Sequence, residues 1–164
     1  FASGTGSTGE IAEAIAEVLR DEQNEVTVLP AAEARDVDTY NVVIAGSSIR
    51  AGRWLRPATD FVKNNAAVLL DIPVALFSVG ISMREDSAEN RARAASHMAK
   101  LAETVRPVDT GVFAGAHDPE KLAFVPRLIT RLAKIPAGDF RDWDAIRAWT
   151  EDLKVRLDEP RPEN

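Results

Sequence analysis

The order of apolar and polar positions divides the chain into alternating helices and strands. Between residues 8 and 21 apolar side chains recur at helical spacing with acidic side chains on the opposite face, which is typical of an amphipathic helix. Two later stretches have the same spacing, whereas shorter continuous or alternating apolar runs indicate strands. The predicted helices cover residues 8–21, 54–70 and 87–105, and the predicted strands cover residues 25–30, 40–46, 74–79 and 111–114.

Beyond the last predicted strand, the chain contains two more helical patterns and a polar tail. An apolar periodic stretch runs from Phe124 to Ile135, and Asp142 is placed to cap a final helix that carries two tryptophans. From residue 158 onwards nothing apolar remains to be buried, so we expect a disordered tail. Residues 1–157 are therefore one predicted domain, which suits a chain of 164 residues of which 45% are hydrophobic.

Strands that alternate with helices of this length predict repeated right-handed βαβ units. The expected fold is therefore α/β, with a doubly wound parallel sheet covered by helices on both faces. Such a sheet binds ligands beyond the carboxyl ends of its strands, at a topological switch point. The loops that begin there are the candidate walls of a site, and they cover residues 3–8, 46–54 and 78–85.

The first of these loops has the composition of a phosphate-binding loop. Two glycines and four hydroxyl residues precede a helix, where backbone amides, hydroxyl donors and the positive end of the helix dipole can meet a phosphomonoester. The loop lacks the lysine of a Walker A motif and does not match the dinucleotide fingerprint. An ordinary turn in which Thr8 caps the helix is the alternative. The candidate phosphate ligands are Ser3, Gly4, Thr5, Gly6, Ser7 and Thr8.

The second loop combines small residues with two arginines and a tryptophan directly after a buried strand. A flavin ring requires an apolar or aromatic wall, backbone donors at its pyrimidine edge and positive charge near N1. Trp54 would supply the wall, and Arg50 and Arg53 the charge. Taken singly, a tryptophan at a helix start more often serves packing, and a loop arginine more often faces solvent. The predicted ring contacts of this loop are Ser47, Ser48, Ile49, Arg50, Gly52 and Trp54.

These motifs carry a resemblance to a known family. The stretch Ser-Gly-Thr-Gly-Ser-Thr at residues 3–8 resembles the phosphate loop of the flavodoxins. Further segments are similar to the menaquinone-dependent protoporphyrinogen IX dehydrogenase branch of that superfamily, so that the resemblance extends over the chain to Leu157. These segments cover residues 46–52, 60–63, 73–79, 114–116, 127–129 and 142–143.

The resemblance implies a flavodoxin-like three-layer αβα sandwich whose five-stranded sheet has the strand order 2-1-3-4-5, with FMN as the cofactor. It implies that the phosphate binds to residues 3–8 and that the ring lies between the second and third loops. In such a sheet the strand before the phosphate loop is central. We therefore expect several more apolar residues before Phe1, and a chain that begins there should neither fold stably nor hold FMN unless that strand is supplied. The implied ring contacts of the third loop are Ser78, Val79, Gly80, Ile81 and Ser82.

The same resemblance implies an oxidoreductase of heme biosynthesis. Such an enzyme removes hydride stepwise from protoporphyrinogen IX to flavin N5 and passes electrons to a quinone, and its catalysis needs no group beyond the flavin. We hypothesise that Arg50 and Arg53 pair with the porphyrin propionates. Residues 118–140 carry mixed charge where that branch is strongly basic, and the third loop lacks the Asp and Tyr that carrier flavodoxins commonly have. A flavodoxin-like electron carrier, which would need a redox partner protein, and a flavin-free binding module stay open as alternatives.

Composition narrows the range of partners. A net charge of −6 argues against a nucleic-acid-binding protein, and the absence of cysteine excludes disulfides and thiolate-ligated clusters. No cluster of histidines and carboxylates has the spacing of a metal site.

His117 falls on the ligand side of the sheet, where it could transfer a proton, and His97 falls in a helix. No apolar run is long enough to span a membrane, so we expect a cytoplasmic protein with a possible peripheral membrane contact through residues 124–135.

Overall fold

The centre of the fold is a sheet of three adjacent parallel strands. The computed structural model of the chain describes residues 1–118 and 137–158. The sheet order is β2-β1-β3-β4, in which the short β2 folds back antiparallel onto β1 and the other strands are parallel. The strands are β1 (Val43–Arg50), β2 (Arg53–Trp54), β3 (Val74–Gly80) and β4 (Asp109–Ala114), and a separate two-residue pair is formed by β5 (Ala116–His117) and β6 (Gly138–Asp139).

Helices cover both faces of this sheet. Those of the described residues are α1 (Ser7–Leu19), α2 (Arg56–Asn64), α3 (Ala66–Asp71), α4 (Ala88–Ser96), α5 (Ala99–Val105) and α6 (Trp143–Asp158). Side chains of β3 alternate between the faces, as in any strand. Leu76 joins a cluster with α2, α3 and α5, whereas Phe77 joins one with α1 and α6. This arrangement confirms the predicted flavodoxin-like α/β fold.

Two of the predicted helices are each divided in the structure. The helix predicted over residues 54–70 breaks at Asn65, whose side-chain amide donates a 2.8 Å hydrogen bond to the backbone oxygen of Phe61 and competes with the helix for that acceptor. The helix predicted over residues 87–105 breaks just before Met98. The side chain of Met98 is buried, and its sulfur accepts a 3.6 Å hydrogen bond from the hydroxyl of Ser78 in the sheet. Packing at this point turns the chain, which a periodicity argument does not detect.

The segment predicted as a strand over residues 25–30 has no regular secondary structure and joins no sheet, so this prediction is wrong. Its neighbour is the two-residue segment Phe1–Ala2. The amino group of Phe1 donates a 2.8 Å hydrogen bond to the oxygen of Leu29, and the amide of Ala2 donates one of 2.8 Å to the oxygen of Gly46. A strand needs a partner along its length. Here Phe1 bonds only to Leu29 and Ala31, at one end of the segment. The parallel strands of the described residues, β1, β3 and β4, correspond to strands 3, 4 and 5 of the expected order.

Several predictions concern the ends of elements or fall outside the described residues. β4 begins at Asp109, two residues before the predicted strand, and α6 runs to Asp158, one residue past the predicted domain end. The apolar stretch 124–135 and the tail beyond Asp158 lie outside the described residues. Within the ranges that the structure covers, no helix combines the length and the apolar character needed to cross a membrane.

Candidate functional site

The first two candidate loops meet at one edge of the sheet. Ala2 pairs in parallel with Ser47 of β1, and Ser47 stands opposite Ser78 of β3, so that these segments reach the same edge together. A Cβ atom added to Gly4 would lie 2.8 Å from Nη2 of Arg50, which shows that the guanidinium group lies directly over the first loop. The structure therefore brings residues 3–8 and the second loop into contact.

The first loop passes straight into helix α1. Gly6 precedes the helix with φ +102°, a conformation that L side chains rarely adopt, and its amide donates a 2.9 Å hydrogen bond to Oγ of Ser3. The helix begins at Ser7, so Thr8 occupies its second position and does not cap it. The prediction that Thr8 caps the helix is therefore wrong, and Gly6 occupies the cap position. The amides of Gly9 and Glu10 donate hydrogen bonds of 2.9 and 3.2 Å to the oxygen of Gly6, so the amides of Ser7 and Thr8 are the ones that the start of the helix leaves for an anion.

The hydroxyl of Thr8 is the one polar side-chain group of this loop that is buried without a partner among the described residues. Thr8 is 0% exposed, and its Oγ1 has no hydrogen-bond partner within residues 1–118 and 137–158. An unpaired buried hydroxyl costs about 1–3 kcal/mol, and native structures rarely keep one without a reason. Hydroxyls, glycines and helix amides are together the donor set that binds a phosphomonoester. The residues present therefore fit a flavin mononucleotide phosphate.

Positive charge at the site comes from the hairpin of β1 and β2. Arg50 and Arg53 stand opposite each other in this hairpin, and both are exposed. No carboxylate of the described residues forms an ion pair with either arginine. Because Arg50 lies over Gly4, it supplies the cation that the lysine-free loop lacks. Arg53 lies opposite Arg50 on the other strand of the hairpin, and its charge is available to another anion.

Three predicted ring contacts, Ser47, Trp54 and Ser78, instead form hydrogen bonds that connect the second loop to the sheet. The indole nitrogen of Trp54 donates a 2.7 Å hydrogen bond to Oγ of Ser78, and Oγ of Ser47 accepts a 2.9 Å hydrogen bond from the amide of Leu55. Trp54 is only 6% exposed, so it offers an incoming ring little surface. These residues fix the direction in which the hairpin leaves the sheet.

Apolar surface beside the loops comes from two isoleucines. Ile49 of β1 packs over Gly80, where an added Cβ atom would lie 3.7 Å from the Cβ of Ile49. Ile81 follows Gly80 and begins a 3₁₀ turn that ends at Arg84, and both Ile81 and Ser82 are half-buried. The second and third loops are thus in contact and present an apolar edge. The other predicted contacts differ in exposure: Ser48 is half-buried, Gly52 is exposed and Val79 is buried.

Sequence reasoning missed a cation on the other side of α1. The guanidinium of Arg141 bonds to Oε2 of Glu10 at 2.5 Å and to Asp139, and it lies 4.5 Å from the ring centre of Trp143. Its hydrogen bonds lower the pKa of the Asp139 carboxyl below its usual range. Glu10 and Arg141 are 131 positions apart, and no local pattern announces such a pair. This cluster ties the first turn of α1 to the segment before α6.

The two histidines lie in different surroundings. The ring of His97 borders the second loop, since Cε1 would lie 3.5 Å from a Cβ added to Gly52. His117 belongs to β5, where it pairs with Gly138, and its Nε2 is buried without a hydrogen-bond partner among the described residues. At the same edge, Gly115 lies beside the start of α1, where an added Cβ would be 3.4 Å from Oγ of Ser7. The end of β4 thus borders the phosphate loop as well.

Comparison with known proteins places this geometry in context. A protein from Escherichia coli (strain K12), named protoporphyrinogen IX dehydrogenase [quinone], is 26% identical over 174 residues, which cover 98% of this chain and 95% of that protein. A protein of the same name from Leishmania major is 28% identical over 167 residues, which cover 93% of this chain and 72% of that protein. These similarities confirm the resemblance predicted from the motifs.

A solved structure and a family comparison agree with the fold. The rubredoxin oxygen:oxidoreductase from Desulfovibrio gigas superposes on 96% of this chain with a TM-score of 0.54 at 14% identity, and the chain spans 36% of the length of that protein. Family and relatives together support a flavin redox protein of the oxidoreductase class. The flavodoxin domain family matches residues 1–144. The chain, whose parallel sheet and matched length agree with that family, therefore belongs to the flavodoxin domain family.

Proposed function

We propose that this protein is an FMN-dependent oxidoreductase of the protoporphyrinogen IX dehydrogenase type, with a quinone as electron acceptor. The buried, unpartnered hydroxyl of Thr8 at the start of α1 is the observation that carries the cofactor assignment. The reaction type rests on the two relatives of that name, whose similarity extends over nearly the whole of this chain. The two assignments are tested separately below.

The phosphate is assigned to the first loop. Oγ1 of Thr8, the amides of the first turn of α1 and the guanidinium of Arg50 supply the donors and the positive charge. The ring is assigned to the apolar edge made by Ile49 and Ile81, with Gly80 allowing close approach between them. A flavin bound there would supply hydride acceptance, and the protein would supply orientation and electrostatic support.

Arg53 is assigned to the substrate. It is exposed, and no carboxylate of the described residues pairs with it. A porphyrinogen carries propionate groups, which an arginine binds well because its planar fork of donors matches a carboxylate. Arg50 could bind a propionate as well only if the phosphate does not neutralise the charge of its guanidinium group. Substitution of Arg53 by glutamine should therefore raise the KM for porphyrinogen while the affinity for FMN stays the same.

A two-stage experiment tests the proposal. The protein, expressed from its whole coding sequence and purified, is first titrated with FMN and with riboflavin, and flavin fluorescence reports binding. The FMN-loaded protein is then incubated anaerobically with protoporphyrinogen IX and menadione, and porphyrin fluorescence is followed. We expect FMN to bind, and we expect porphyrin to form faster than in a sample without protein.

Each failure has a distinct meaning. Binding of FMN without acceleration of porphyrin formation would refute the dehydrogenase and favour the electron carrier. Absence of FMN binding by a chain that is folded by circular dichroism would favour the flavin-free binding module. The Thr8→Val variant tests the cofactor assignment directly, because it removes the hydroxyl that the proposal assigns to the phosphate and keeps the shape of the side chain, while riboflavin, which lacks the phosphate, is the matched control ligand.

A further inference from the structure

Helices α1 and α6 are joined by an ion pair at each end. Where the helices begin, the guanidinium of Arg141, which stands just before α6, bonds at 2.5 Å to Glu10 in the first turn of α1. Where α1 ends, Nζ of Lys154 in α6 donates a 2.6 Å hydrogen bond to Asp21, which follows α1. The two pairs therefore join the same helices, but only the first lies at the phosphate loop.

Glu10 brings a negative charge to that loop. It is the acidic residue in the first turn of α1, and a Cβ atom added to Gly6 would lie 3.9 Å from its Oε1. Gly6 directly precedes the helix, so the amides of Ser7 and Thr8 come next along the chain. A carboxylate at this place repels an anion that these amides bind. Left unpaired, it would oppose the positive charge that Arg50 brings to the loop.

Arg141 is placed to neutralise this carboxylate. Its side chain is only 10% exposed, and its Nη1 donates to Glu10. Its Nε and Nη2 donate to the two carboxylate oxygens of Asp139 at 2.8 and 2.5 Å, and its Cζ lies 4.5 Å from the ring centre of Trp143. A guanidinium that is bound on three sides keeps its position, and a partly buried pair is screened less by salt than an exposed one. Arg141 is therefore a positioning residue that acts through Glu10.

We propose that the Glu10–Arg141 pair sets the preference of this loop for a phosphorylated flavin over an uncharged one. Arg141 fixes and neutralises the Glu10 carboxylate, so that the positive charge of Arg50 and of the helix start remains available to the phosphate. The Glu10 side chain is 56% exposed and keeps part of its repulsion, which limits the affinity. The inference rests on the FMN assignment made above, and it concerns the charge beside the phosphate rather than the groups that contact it.

Substitution of the two members of the pair should change the affinity in opposite directions. Titrations use the protein expressed from its whole coding sequence. Arg141→Gln leaves Glu10 unpaired and should raise the Kd for FMN about threefold to tenfold. Glu10→Gln keeps the shape of the side chain, removes the repulsion and should lower this Kd about twofold to fivefold. Riboflavin carries no phosphate, so its Kd should stay within about twofold of the parent in both variants.

Two further variants test whether the pair acts as a unit. The double variant Glu10→Gln, Arg141→Gln should return the Kd for FMN to within about twofold of the parent, because the charge that Arg141 neutralises is then absent. Arg141→Lys keeps the positive charge but not the planar fork of donors, and should recover most of the affinity that Arg141→Gln loses.

Asp21 and Lys154 provide the matched control. Asp21→Asn changes the net charge as Glu10→Gln does, and Lys154→Gln changes it as Arg141→Gln does, while each breaks an ion pair between the same helices. Asp21 follows the far end of α1, a helix of 13 residues that is therefore about 20 Å long. This distance exceeds the Debye length of about 8 Å at physiological ionic strength. Both control variants should leave the Kd for FMN within about twofold of the parent.

Thermal unfolding without flavin separates the effect of charge from a loosening of α1. An acidic residue in the first turn stabilises a helix, so Glu10→Gln should lower the Tm by about 1–4 °C while it tightens FMN binding. A pair that only joined the helices would instead weaken FMN and riboflavin alike in both single variants, and Lys154→Gln would do the same. Weaker or unchanged FMN binding in both single variants would overturn the proposal. A parent that binds FMN no better than riboflavin would overturn the phosphate assignment as well, so the two failures are distinguishable.

Discussion

Arg50 offers the sharpest test of the phosphate loop. Its guanidinium lies over Gly4, while its matched partner Arg53 stands opposite it in the hairpin and carries the same charge. Substitution of either residue by alanine changes the net charge equally, but only Arg50 reaches the loop. The comparison therefore separates a local contact from the overall field of the protein.

The expected magnitude lies between two limits. A hydrogen bond to a charged group contributes about 1.5–3 kcal/mol, and an exposed ion pair contributes about 0.2–1 kcal/mol. Arg50 is an exposed residue whose head group nevertheless lies on the loop, so we expect a loss of about 1–2 kcal/mol. This corresponds to a rise of about 5–30-fold in the Kd for FMN.

Fluorescence titration with FMN and with riboflavin is the assay. Arg50→Ala should weaken FMN by that factor and riboflavin by less than about twofold, because riboflavin has no phosphate to lose the contact. The affinity of the parent for FMN should fall with added salt, and the variant should show a smaller fall. Arg53→Ala should change neither affinity by more than about twofold. Equal losses for FMN and riboflavin, or equal losses in the two variants, would refute the assignment of Arg50 to the phosphate.

Two further predictions concern other parts of the fold. Thr8→Val should leave the Tm unchanged or raise it, because the hydroxyl has no partner among the described residues, while the Kd for FMN rises by about tenfold; a lower Tm with unchanged FMN binding would contradict this. Trp54→Phe removes the hydrogen bond to Ser78 and should lower the free energy of unfolding in urea by about 1–3 kcal/mol. If the two residues act as a pair, Ser78→Ala should add little to that loss.

Features whose causes are local were accessible from the sequence. The loop before α1 is one of these, because its glycines and hydroxyls and the following amphipathic helix are neighbours along the chain. The strands β3 and β4 are another such feature, since short apolar runs bounded by turn residues are typical of buried strands. Long-range partners were not accessible in this way. The contact between Glu10 and Arg141 depends on how α1 packs against α6, and so does not leave a local trace.

Trp54 shows why the type of a residue does not define its role. A tryptophan and two arginines in one loop suggested an aromatic wall with adjacent charge. In the structure Trp54 is buried in the core, where its indole nitrogen donates a hydrogen bond to Ser78 of β3. The two arginines are exposed to solvent. The hairpin geometry determines this position, because Trp54 of β2 pairs with Ile49 of β1 and its ring is buried against the sheet. Apolar surface at the loops comes instead from Ile49 and Ile81, which were predicted as ring contacts but not as the wall.

The segment 25–30 illustrates a different kind of failure. Its alternation of apolar and polar residues is correct for a strand, yet the segment pairs with no strand. Pattern reasoning reports the burial that a segment is suited to, whereas strand formation also requires a neighbour with free donors and acceptors. Val42, Val43 and Ile44 are half-buried, whereas β3 is buried from Val74 to Val79. An alternating apolar pattern is therefore necessary for a strand at residues 25–30 but does not by itself produce one.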